Sequence, residues 1–486
     1  MNSSSGTQPK FTTVDFNPFA DGELLLTAPA TESQKEIWAS VQMGSDANCA
    51  YNESQKLWLR GILNTDALGL ALQELVLRHE ALRTTFSPDG INLCIVASLN
   101  LKITEIDLSG LDSGERDTKL ADLLKQAVEN PFDLEHGPLI RVQLIKTQDQ
   151  ENLLLLTAHH IICDGWSWAV LMTDLGKLYT SLKNGETLDL EEPENFSEYA
   201  IAQQEAKGSE EEIETEAYWL NQFSDSIPVL DFPTDRPRPP VRTFNAARKD
   251  WDLDPALVSN LKQLGNKLGC SFTTTLLTSF EVFLHRLTGS NEIMVGIPAA
   301  GQTATGNYQL VSHCVNLLPL KSWVDGNQAF SDYLQIRRPV ILDAYDHQLF
   351  TFGSLVEKLA IPRDTSRIPL VPITFNLDQG LDNDRLLFED LKVEFSTNPR
   401  SYENFEIFIN ATELRGKVTL ECQYNTNLFD AATIRRRLAE FETLLIGIVA
   451  APDTTIDRLP LLPETELQQL TSWNQAPVDY SCYAEA

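Results

Sequence analysis

One segment constrains the fold of this chain more than any other: an apolar run that ends in two adjacent histidines. Residues 153–158 read Leu-Leu-Leu-Leu-Thr-Ala, and His159 and His160 follow directly. A short continuous apolar run predicts a strand that is buried on both faces. Between residues 166 and 182 the apolar side chains recur at helical spacing. The sequence therefore predicts a strand, a tight Asp-Gly turn and a helix, with the histidines at the rigid end of the strand.

The two histidines are candidates for proton-transfer chemistry. Imidazole has the unperturbed pKa that lies nearest neutrality, so it moves protons without much tuning. A lone buried histidine is more often a hydrogen-bonded core residue, but the pairing and the nearby Asp164 favour a functional role here. Adjacent residues on an extended chain point to opposite faces, which disfavours a shared metal ion. We therefore expect one histidine to face a cavity and the other to pack inward.

Several segments resemble one family. His159–Gly165 is similar to the His-His-x-x-x-Asp-Gly signature of condensation domains from non-ribosomal peptide synthetases, which are relatives of chloramphenicol acetyltransferase. The signature also occurs in other acyltransferases and in the epimerisation domains of the same synthetases. The most specific further match is Arg78–Phe86. The remaining similar segments, in the family's order from about residue 31 to residue 462, are Thr31–Gln42, Asn130–Leu134, Gly137–Arg141, Val295–Gly301, Val315–Leu320 and Arg363–Leu370.

Two positions depart from the family pattern. Ala202 stands where the family usually has Trp near the crossover between lobes, and Gln302 stands where it usually has Arg. We expect these departures to change a latch or a substrate contact and to leave the histidine motif untouched.

The resemblance implies an α+β fold in which two chloramphenicol acetyltransferase-like lobes form a V with a central tunnel. Residues 1–22 are polar and are predicted to be an N-terminal arm. Residues 23–204 are predicted to form the first lobe, with the histidine motif, and residues 205–462 the second lobe. Residues 463–486 are predicted to be a linker toward an adenylation domain that this chain lacks.

The resemblance also implies an activity. A condensation domain forms an amide bond between a donor acyl thioester and the amine of an acceptor aminoacyl thioester, both carried on phosphopantetheine arms. By resemblance, His160 is the catalytic imidazole, acting as a base or positioning the amine, and His159 is structural. The Gly165 backbone N–H, at the start of a helix, stabilises developing negative charge.

Other residues are assigned supporting roles. Asp164 is expected to face inward, and a buried carboxylate needs a partner. The resemblance makes Arg78 that partner, with Arg83 as the second choice. Asn376 is predicted at a strand end. Two roles fit that position equally well: a polar contact near the reaction centre, or a simple cap of the strand. Possible substrate contacts are Asn376, Trp166 and Ser167.

Alternative functions remain open on the sequence. An epimerisation domain shares the double histidine and a Ser-Trp pair like Ser167-Trp168, although Thr31–Trp38 and Arg78–Phe86 are of the condensation type. A catalytically silent recruitment domain usually loses the second histidine or the aspartate, and both are present here. A heterocyclising domain is disfavoured because its Asp-x-x-x-x-Asp replacement is absent. Residues 15–19 and 160–168 resemble condensation domains that follow polyketide modules.

Composition limits the kinds of partner and the cellular environment expected for this chain. The net charge of −31 argues against a nucleic-acid footprint. No 18-residue apolar run and no secretory signal pattern are visible, so no membrane partner is expected. Seven scattered cysteines suggest reduced thiols in a cytoplasmic protein. No metal-ligand spacing occurs, and no cofactor is expected on the domain itself. The expected partners are donor and acceptor carrier domains and an adjacent adenylation domain.

Overall fold

Three β-sheets and the helices packed on them make up the part of the chain that the computed structural model describes, residues 23–186, 190–361 and 364–474. The arm predicted for residues 1–22 and the segment 15–19 lie outside these residues, as do residues 475–486 of the predicted linker. Mixed helix and sheet confirm the expected α+β class.

The N-terminal elements contain seven strands and six helices among the described residues. The strands are β1 Leu24–Pro29, β2 Asn52–Gly61, β3 Thr84–Phe86, β4 Asn92–Val96, β5 Ile103–Asp107, β6 Ile140–Gln148 and β7 Glu151–His159. The helices are α1 Glu32–Val41, α2 Ser45–Cys49, α3 Thr65–Arg78, α4 Ser113–Glu129, α5 Gly165–Asn184 and α6 Phe196–Glu205.

The C-terminal elements contain seven further strands and eight helices within the described ranges. The strands are β8 Ala246–Asp252, β9 Glu292–Ala300, β10 Val315–Trp323, β11 Ile373–Gln379, β12 Leu391–Thr397, β13 Ile407–Leu414 and β14 Lys417–Asn425. The helices are α7 Glu210–Gln222, α8 Pro255–Lys267, α9 Phe272–Thr288, α10 Gly301–Thr305, α11 Phe330–Asp346, α12 Phe352–Lys358, α13 Ala431–Ala450 and α14 Glu464–Asn474.

The sheets tie the two sets of elements together. The five-stranded sheet has the order β12-β2-β7-β6-β5, and the six-stranded sheet has the order β10-β9-β11-β13-β14-β8. A three-stranded sheet has the order β1-β4-β3. Strand β12 comes from the C-terminal elements but pairs antiparallel with β2, from Leu391 opposite Gly61 to Thr397 opposite Gln55. The expected boundary between lobes at residue 204 lies near the end of α6 and stays a prediction.

The strand and the helix predicted around the histidines are confirmed, but the turn lies at residues 160–162 and not at Asp164-Gly165, which cap and begin the helix. Strand β7 is buried along its apolar run and ends at His159, and α5 begins at Gly165. The Asp164 side chain accepts a hydrogen bond from the Ser167 backbone N–H, an N-cap that fixes where α5 starts. On the other side of the loop, the Gln34 side chain donates to the Ile161 carbonyl at 2.9 Å. Helix α1 and helix α5 therefore hold the two ends of the histidine loop.

Several elements differ from the expected pattern, among them the following four. Strand β2 is not predicted, because its first four residues are polar yet buried and give no apolar alternation. The expected strands also omit β12, although Leu391, Val393 and Phe395 alternate with polar residues. The sequence marks α6 only as an aromatic segment. Residues 464–474 form the helix α14 within the segment predicted to be a linker, and the linker role stays a prediction.

No described helix is long and apolar enough to cross a membrane.

A buried carboxyl joins α1 to α12. Glu36 Oε1 accepts a hydrogen bond from the Gly353 backbone N–H at 2.8 Å. Burial raises the pKa of Glu36 to about 7, and hydrogen bonds from Thr351 and Gly353 offset this only in part. A Cβ on Gly353 would lie 2.4 Å from the Glu36 Cδ, so the Glu36 carboxyl lies directly against the glycine backbone. The carboxyl is therefore more easily protonated in the folded chain than in the unfolded one.

This raised pKa predicts a pH dependence of stability. The folded state binds the Glu36 proton more tightly, so the free energy of unfolding falls as pH rises from 4.5 to about 7. We expect Glu36→Gln to remove that part of the decline, because the amide keeps an acceptor oxygen and cannot ionise. Urea unfolding at a series of pH values measures the slope. Glu74→Gln, on an exposed position of α3, is the control, and equal slopes for wild type and Glu36→Gln would contradict the assignment.

Candidate active site

His160 is the partly exposed histidine of the motif. Its backbone N–H donates to the Tyr51 carbonyl at 2.7 Å, which fixes the residue just beyond the end of β7. Its ring Nδ1 lies 2.8 Å from the Cys163 carbonyl oxygen. A carbonyl only accepts, so Nδ1 carries the proton and Nε2 is the nitrogen available to a reactant. The side chain is 20% exposed. The loop therefore presents one fixed imidazole nitrogen at a site that a substrate can reach.

His159 lies in the interior. It is fully buried, and its Nδ1 accepts a hydrogen bond from the Ile161 backbone N–H at 3.2 Å. The rings of Tyr51 and Phe132 pack against it. Burial, and then the charge of His160, lower the pKa of His159 to about 3. His159 therefore stays neutral near pH 7, and the two histidines divide into one packed and one presented side chain.

A carboxylate lies beside the presented nitrogen. Glu53 Oε1 is 3.4 Å from His160 Nε2. The same oxygen accepts a hydrogen bond from Arg400 at 2.8 Å, and the other oxygen accepts one from the Trp168 indole N–H at 2.9 Å. Glu53 is 8% exposed. The sequence analysis missed Glu53 because it stands in the polar start of β2, and it missed Arg400 because no pattern marks the segment after β12.

A third histidine completes the cluster. His313, in the segment before β10, has its Nδ1 at 3.3 Å from His160 Nδ1, and the two rings meet edge to face with centroids 4.8 Å apart. Burial, and then the neighbouring His160 and His159, hold the pKa of His313 well below its usual value. His313 is therefore a neutral side chain that packs against the His160 ring and limits its rotation. Its position in Ser-His-Cys, just before the family-like segment that begins at Val315, gave no signal by itself.

The expected partner of Asp164 is wrong. Asp164 is fully buried, and Arg78 bonds elsewhere. One oxygen of Asp164 accepts from the Ser167 backbone N–H and hydroxyl at 2.8 and 2.7 Å. The other accepts from the Gln302 side-chain amide at 2.8 Å and the Cys314 backbone N–H at 3.1 Å. Four neutral donors therefore satisfy the charge, and the Gln302 departure does touch the histidine motif.

The two arginines expected near Asp164 hold other groups. Arg78 donates to Asp174 at 2.8 Å, and His79 contacts the same carboxylate at 3.1 Å. Arg83 donates to the Val96 carbonyl at 2.5 Å. Both arginines belong to the family-like segment at 78–86. Arg78 links α3 to α5, and Arg83, beyond the end of α3, links the following segment to β4. The resemblance located the segment correctly but paired its arginine with the wrong aspartate.

The other residues expected near the reaction centre lie in three different surroundings. Gly165 is the first residue of α5, so its N–H belongs to the set of N–H groups that lack an intrahelical acceptor. Trp166 donates its indole N–H to the Tyr308 carbonyl at 2.9 Å, across to the C-terminal elements. Ser167 is fully buried between Asp164 and the Ser312 carbonyl, so it is not a substrate contact.

Asn376 lies in the middle of β11 rather than at a strand end. Its side chain donates to the Asn410 side-chain oxygen at 2.9 Å, across the parallel pair β11–β13. The predicted strand end, which made a cap as plausible as a substrate contact, is therefore wrong. In the described residues no group of three or more histidine, cysteine, aspartate or glutamate side chains is arranged to hold a metal ion.

Comparison with known proteins identifies the relatives of this site. Residues 26–471 match the family model described as Condensation domain. The chain is 34% identical over 462 residues to one of the linear gramicidin synthase proteins of Brevibacillus parabrevis, covering 93% of this chain and 6% of that protein. It is 32% identical over 461 residues to one of the plipastatin synthase proteins of Bacillus subtilis (strain 168), covering 94% of this chain and 17% of that protein. The chain thus spans less than a fifth of the length of these relatives.

Solved structures share the fold. A four-domain nonribosomal peptide synthetase bound to AMP and glycine aligns with a TM-score of 0.80 at 22% identity, covering 92% of this chain and 35% of that one. The condensation domain from the Monacolin K polyketide synthase aligns with a TM-score of 0.78 at 20% identity, covering 89% of this chain and all of that one. At these identities the likeness concerns the fold.

The geometry at Asp164 predicts which residues are energetically coupled. Gln302→Ala leaves a buried carboxylate short of one donor, and we expect a loss of about 1–3 kcal/mol in the free energy of unfolding. Asp164→Asn turns an acceptor into a donor beside Gln302, so the double variant is expected to lose less than the sum of the single variants. Chemical denaturation of the wild type, the two single variants and the double variant measures this coupling.

A control double-mutant cycle uses Asp164 and Arg78, which were expected to pair but do not contact each other in the structure. Asp164→Asn and Arg78→Ala share no contact, so their losses are expected to add within about 0.5 kcal/mol. Coupling between Asp164 and Arg78, together with additivity between Asp164 and Gln302, would overturn the hydrogen-bond network described here.

Proposed function

Because this chain belongs to the condensation-domain family, we propose that it forms an amide bond between a donor acyl thioester and the amine of an acceptor aminoacyl thioester. Both substrates are carried on the phosphopantetheine arms of separate carrier domains. The relatives that the chain matches are components of peptide synthetases, which makes carrier and adenylation domains its natural partners. The domain itself needs no bound cofactor for this chemistry, since the thioester is already activated.

The single observation that carries this proposal is the state of His160. Its Nδ1 is committed to the Cys163 carbonyl at 2.8 Å, so a proton-accepting Nε2 faces the site. His159 is buried and neutral, which leaves one imidazole of the pair for the reaction. In the active arrangement, Nε2 accepts a hydrogen bond from the acceptor amine and takes its proton as the amine attacks.

The bond changes balance without a further reactant. The amine nitrogen forms a bond to the thioester carbonyl carbon, and the carbonyl oxygen gains negative charge in the tetrahedral intermediate. That intermediate collapses as the carbon–sulfur bond breaks, and the proton taken by His160 passes to the departing thiolate. The N–H of Gly165, at the start of α5, is the proposed donor to the oxyanion. The products are the amide on the acceptor arm and a free thiol on the donor arm.

The proposed reaction also requires that two substrate arms reach the site from opposite sides, and we assign that access to the boundary between the two sets of elements. The histidine loop meets Gln302 and His313 of the C-terminal elements, and Glu53 beside it meets Arg400, so the proposed reaction centre lies at the contact between the two sets. We propose that these sets are two lobes of a V and that a tunnel between them admits one phosphopantetheine arm from each face. Trp166 and its contact with Tyr308 lie along that boundary.

Replacing the proposed base tests the function. We expect His160→Ala to fold like wild type and to lose roughly 10²–10⁴-fold in amide formation, the typical contribution of an acid–base group. The measurement is mass spectrometry of products on purified carrier domains loaded with a panel of acyl donors and aminoacyl acceptors. His347→Ala, a histidine stacked on Tyr218 away from the site, is the matched control. A folded His160→Ala variant with wild-type turnover would refute the assignment.

The number of carriers engaged separates this function from epimerisation. We expect donor and acceptor carriers to bind the chain at the same time, and we expect activity to persist in EDTA, since the described residues hold no metal-ligand cluster. Binding titrations with one carrier in the presence of a saturating excess of the other measure this. Mutually exclusive binding, with inversion of a single aminoacyl thioester as the product chemistry, would favour epimerisation instead.

A further inference from the structure

Glu53 is placed beside the reactive nitrogen by sheet register. Strand β2 pairs antiparallel with β7, with Asn52 opposite His159 and Glu53 opposite Ala158. The start of β2 therefore runs alongside the end of β7, and the Glu53 carboxylate reaches His160 Nε2 at 3.4 Å. This is an ion-pair distance and longer than a well-made hydrogen bond. The carboxylate thus flanks the imidazole as a charge and leaves Nε2 accessible to an amine.

The charge of Glu53 is held in place from two sides. The Trp168 indole N–H, from the first turn of α5, donates to Oε2 at 2.9 Å, and Arg400 donates to Oε1 at 2.8 Å. Glu53 therefore offers a fixed negative charge in a largely buried position.

Strand β12 explains why an arginine reaches this place. It pairs with β2 as far as Thr397 opposite Gln55, and the next residue, Asn398, donates its backbone N–H to the Ser54 carbonyl at 2.8 Å. The chain then continues past Glu53 and brings Arg400 to it. Arg400 also donates to Glu403 at 3.3 Å. Burial raises the pKa of Glu403, and Arg400 offsets that shift only in part.

From this geometry we infer that Glu53 is a positioning residue that acts through His160, stabilising the imidazolium that forms when the amine gives up its proton. The inference rests on the proposed function, since it concerns the same proton transfer. As the nitrogen–carbon bond forms, the amine proton moves to Nε2 and a positive charge develops 3.4 Å from the carboxylate. A fixed negative charge at such a distance stabilises positive charge as it develops in the transition state. Arg400 moderates this effect because it shares the carboxylate.

The other charged and titratable groups around His160 do not take this role. His313 and His159 face the ring from β10's leading segment and from β7, and both remain neutral because burial lowers the pKa of each. Glu403 is 2% exposed and bonds to Arg400. Only Glu53 contacts the reactive nitrogen at ion-pair distance among the described residues.

Two substitutions with opposite expected effects test the inference. Glu53→Gln removes the negative charge, so the His160 imidazole is expected to hold its proton less tightly. Arg400→Gln removes the competing positive charge, so the imidazole is expected to hold its proton more tightly. Ring-¹⁵N histidine NMR of the whole chain against pH measures this at Nε2, with His160→Ala used to assign the resonance. Generic loosening of the structure would not move the two variants in opposite directions.

A matched control separates the charge from the cost of breaking a buried pair. Glu406 is a buried carboxylate bonded to Arg238, away from the histidine loop. Glu406→Gln is expected to leave the His160 titration as in wild type. An unchanged His160 titration in both Glu53→Gln and Arg400→Gln would overturn the inference, as would a shift of the same sign in both. If Glu53→Gln does not fold, the direction of the Arg400→Gln shift alone decides.

The kinetic readout links this pairing to the reaction. For amide formation between loaded carriers, Glu53→Gln is expected to lower kcat/KM roughly tenfold at neutral pH, short of the roughly 10²–10⁴-fold contribution of an acid–base group itself. The acidic limb of its pH profile is expected to move to lower pH, and an unmoved limb would contradict the inference. Should the wild-type chain form no amide at all, the proposed function fails, while the NMR comparison still decides the pairing of Glu53 with His160.

Discussion

The buried carboxylate of Asp164 is the interaction on which the rest of the site depends. It lies in the turn between β7 and α5, and it accepts hydrogen bonds from Ser167 in α5, from Gln302 in α10 and from Cys314 before β10. Ionised carboxylates in a protein interior persist only when such donors replace the lost water. One side chain therefore caps the helix, closes the histidine loop and joins the N-terminal elements to the C-terminal ones.

Within the part of the chain that the structure describes, that junction is made without a counter-ion. Gln302 stands where the family usually has arginine, and its amide donates one hydrogen bond in a place where a guanidinium would bring a full charge. Gly301, just before it, packs against the Cys314 carbonyl so closely that a Cβ would lie 2.6 Å from that oxygen. The small residue lets α10 approach the loop, and the approach brings Gln302 within reach of Asp164. Backbone N–H groups and a hydroxyl supply the remaining donors, so no arginine is required.

The sequence predicted those parts of the site that depend on neighbouring residues, and it missed those that depend on distant segments. The apolar run and the helical spacing are features of neighbouring residues, and they located β7 and α5 correctly. Strand β2 begins with Asn52 and Glu53, polar residues that are buried because distant segments cover them. Asn52 donates to the Val128 and Asn130 carbonyls, and Glu53 accepts from Trp168 and Arg400. No pattern within β2 reveals that cover. The choice of Arg78 as partner of Asp164 failed for the same reason, since a buried ion pair depends on distant segments.

Strand β12 shows how distant segments create the chemistry. A strand from the C-terminal elements adds to the edge of the sheet that contains β7, and its register against β2 sets where the following residues run. Arg400 consequently meets Glu53, and Glu53 meets His160. A one-residue slip of that register would turn each side chain to the opposite face of the sheet. The electrostatic environment of the imidazole is therefore a property of the contact between the two sets of elements.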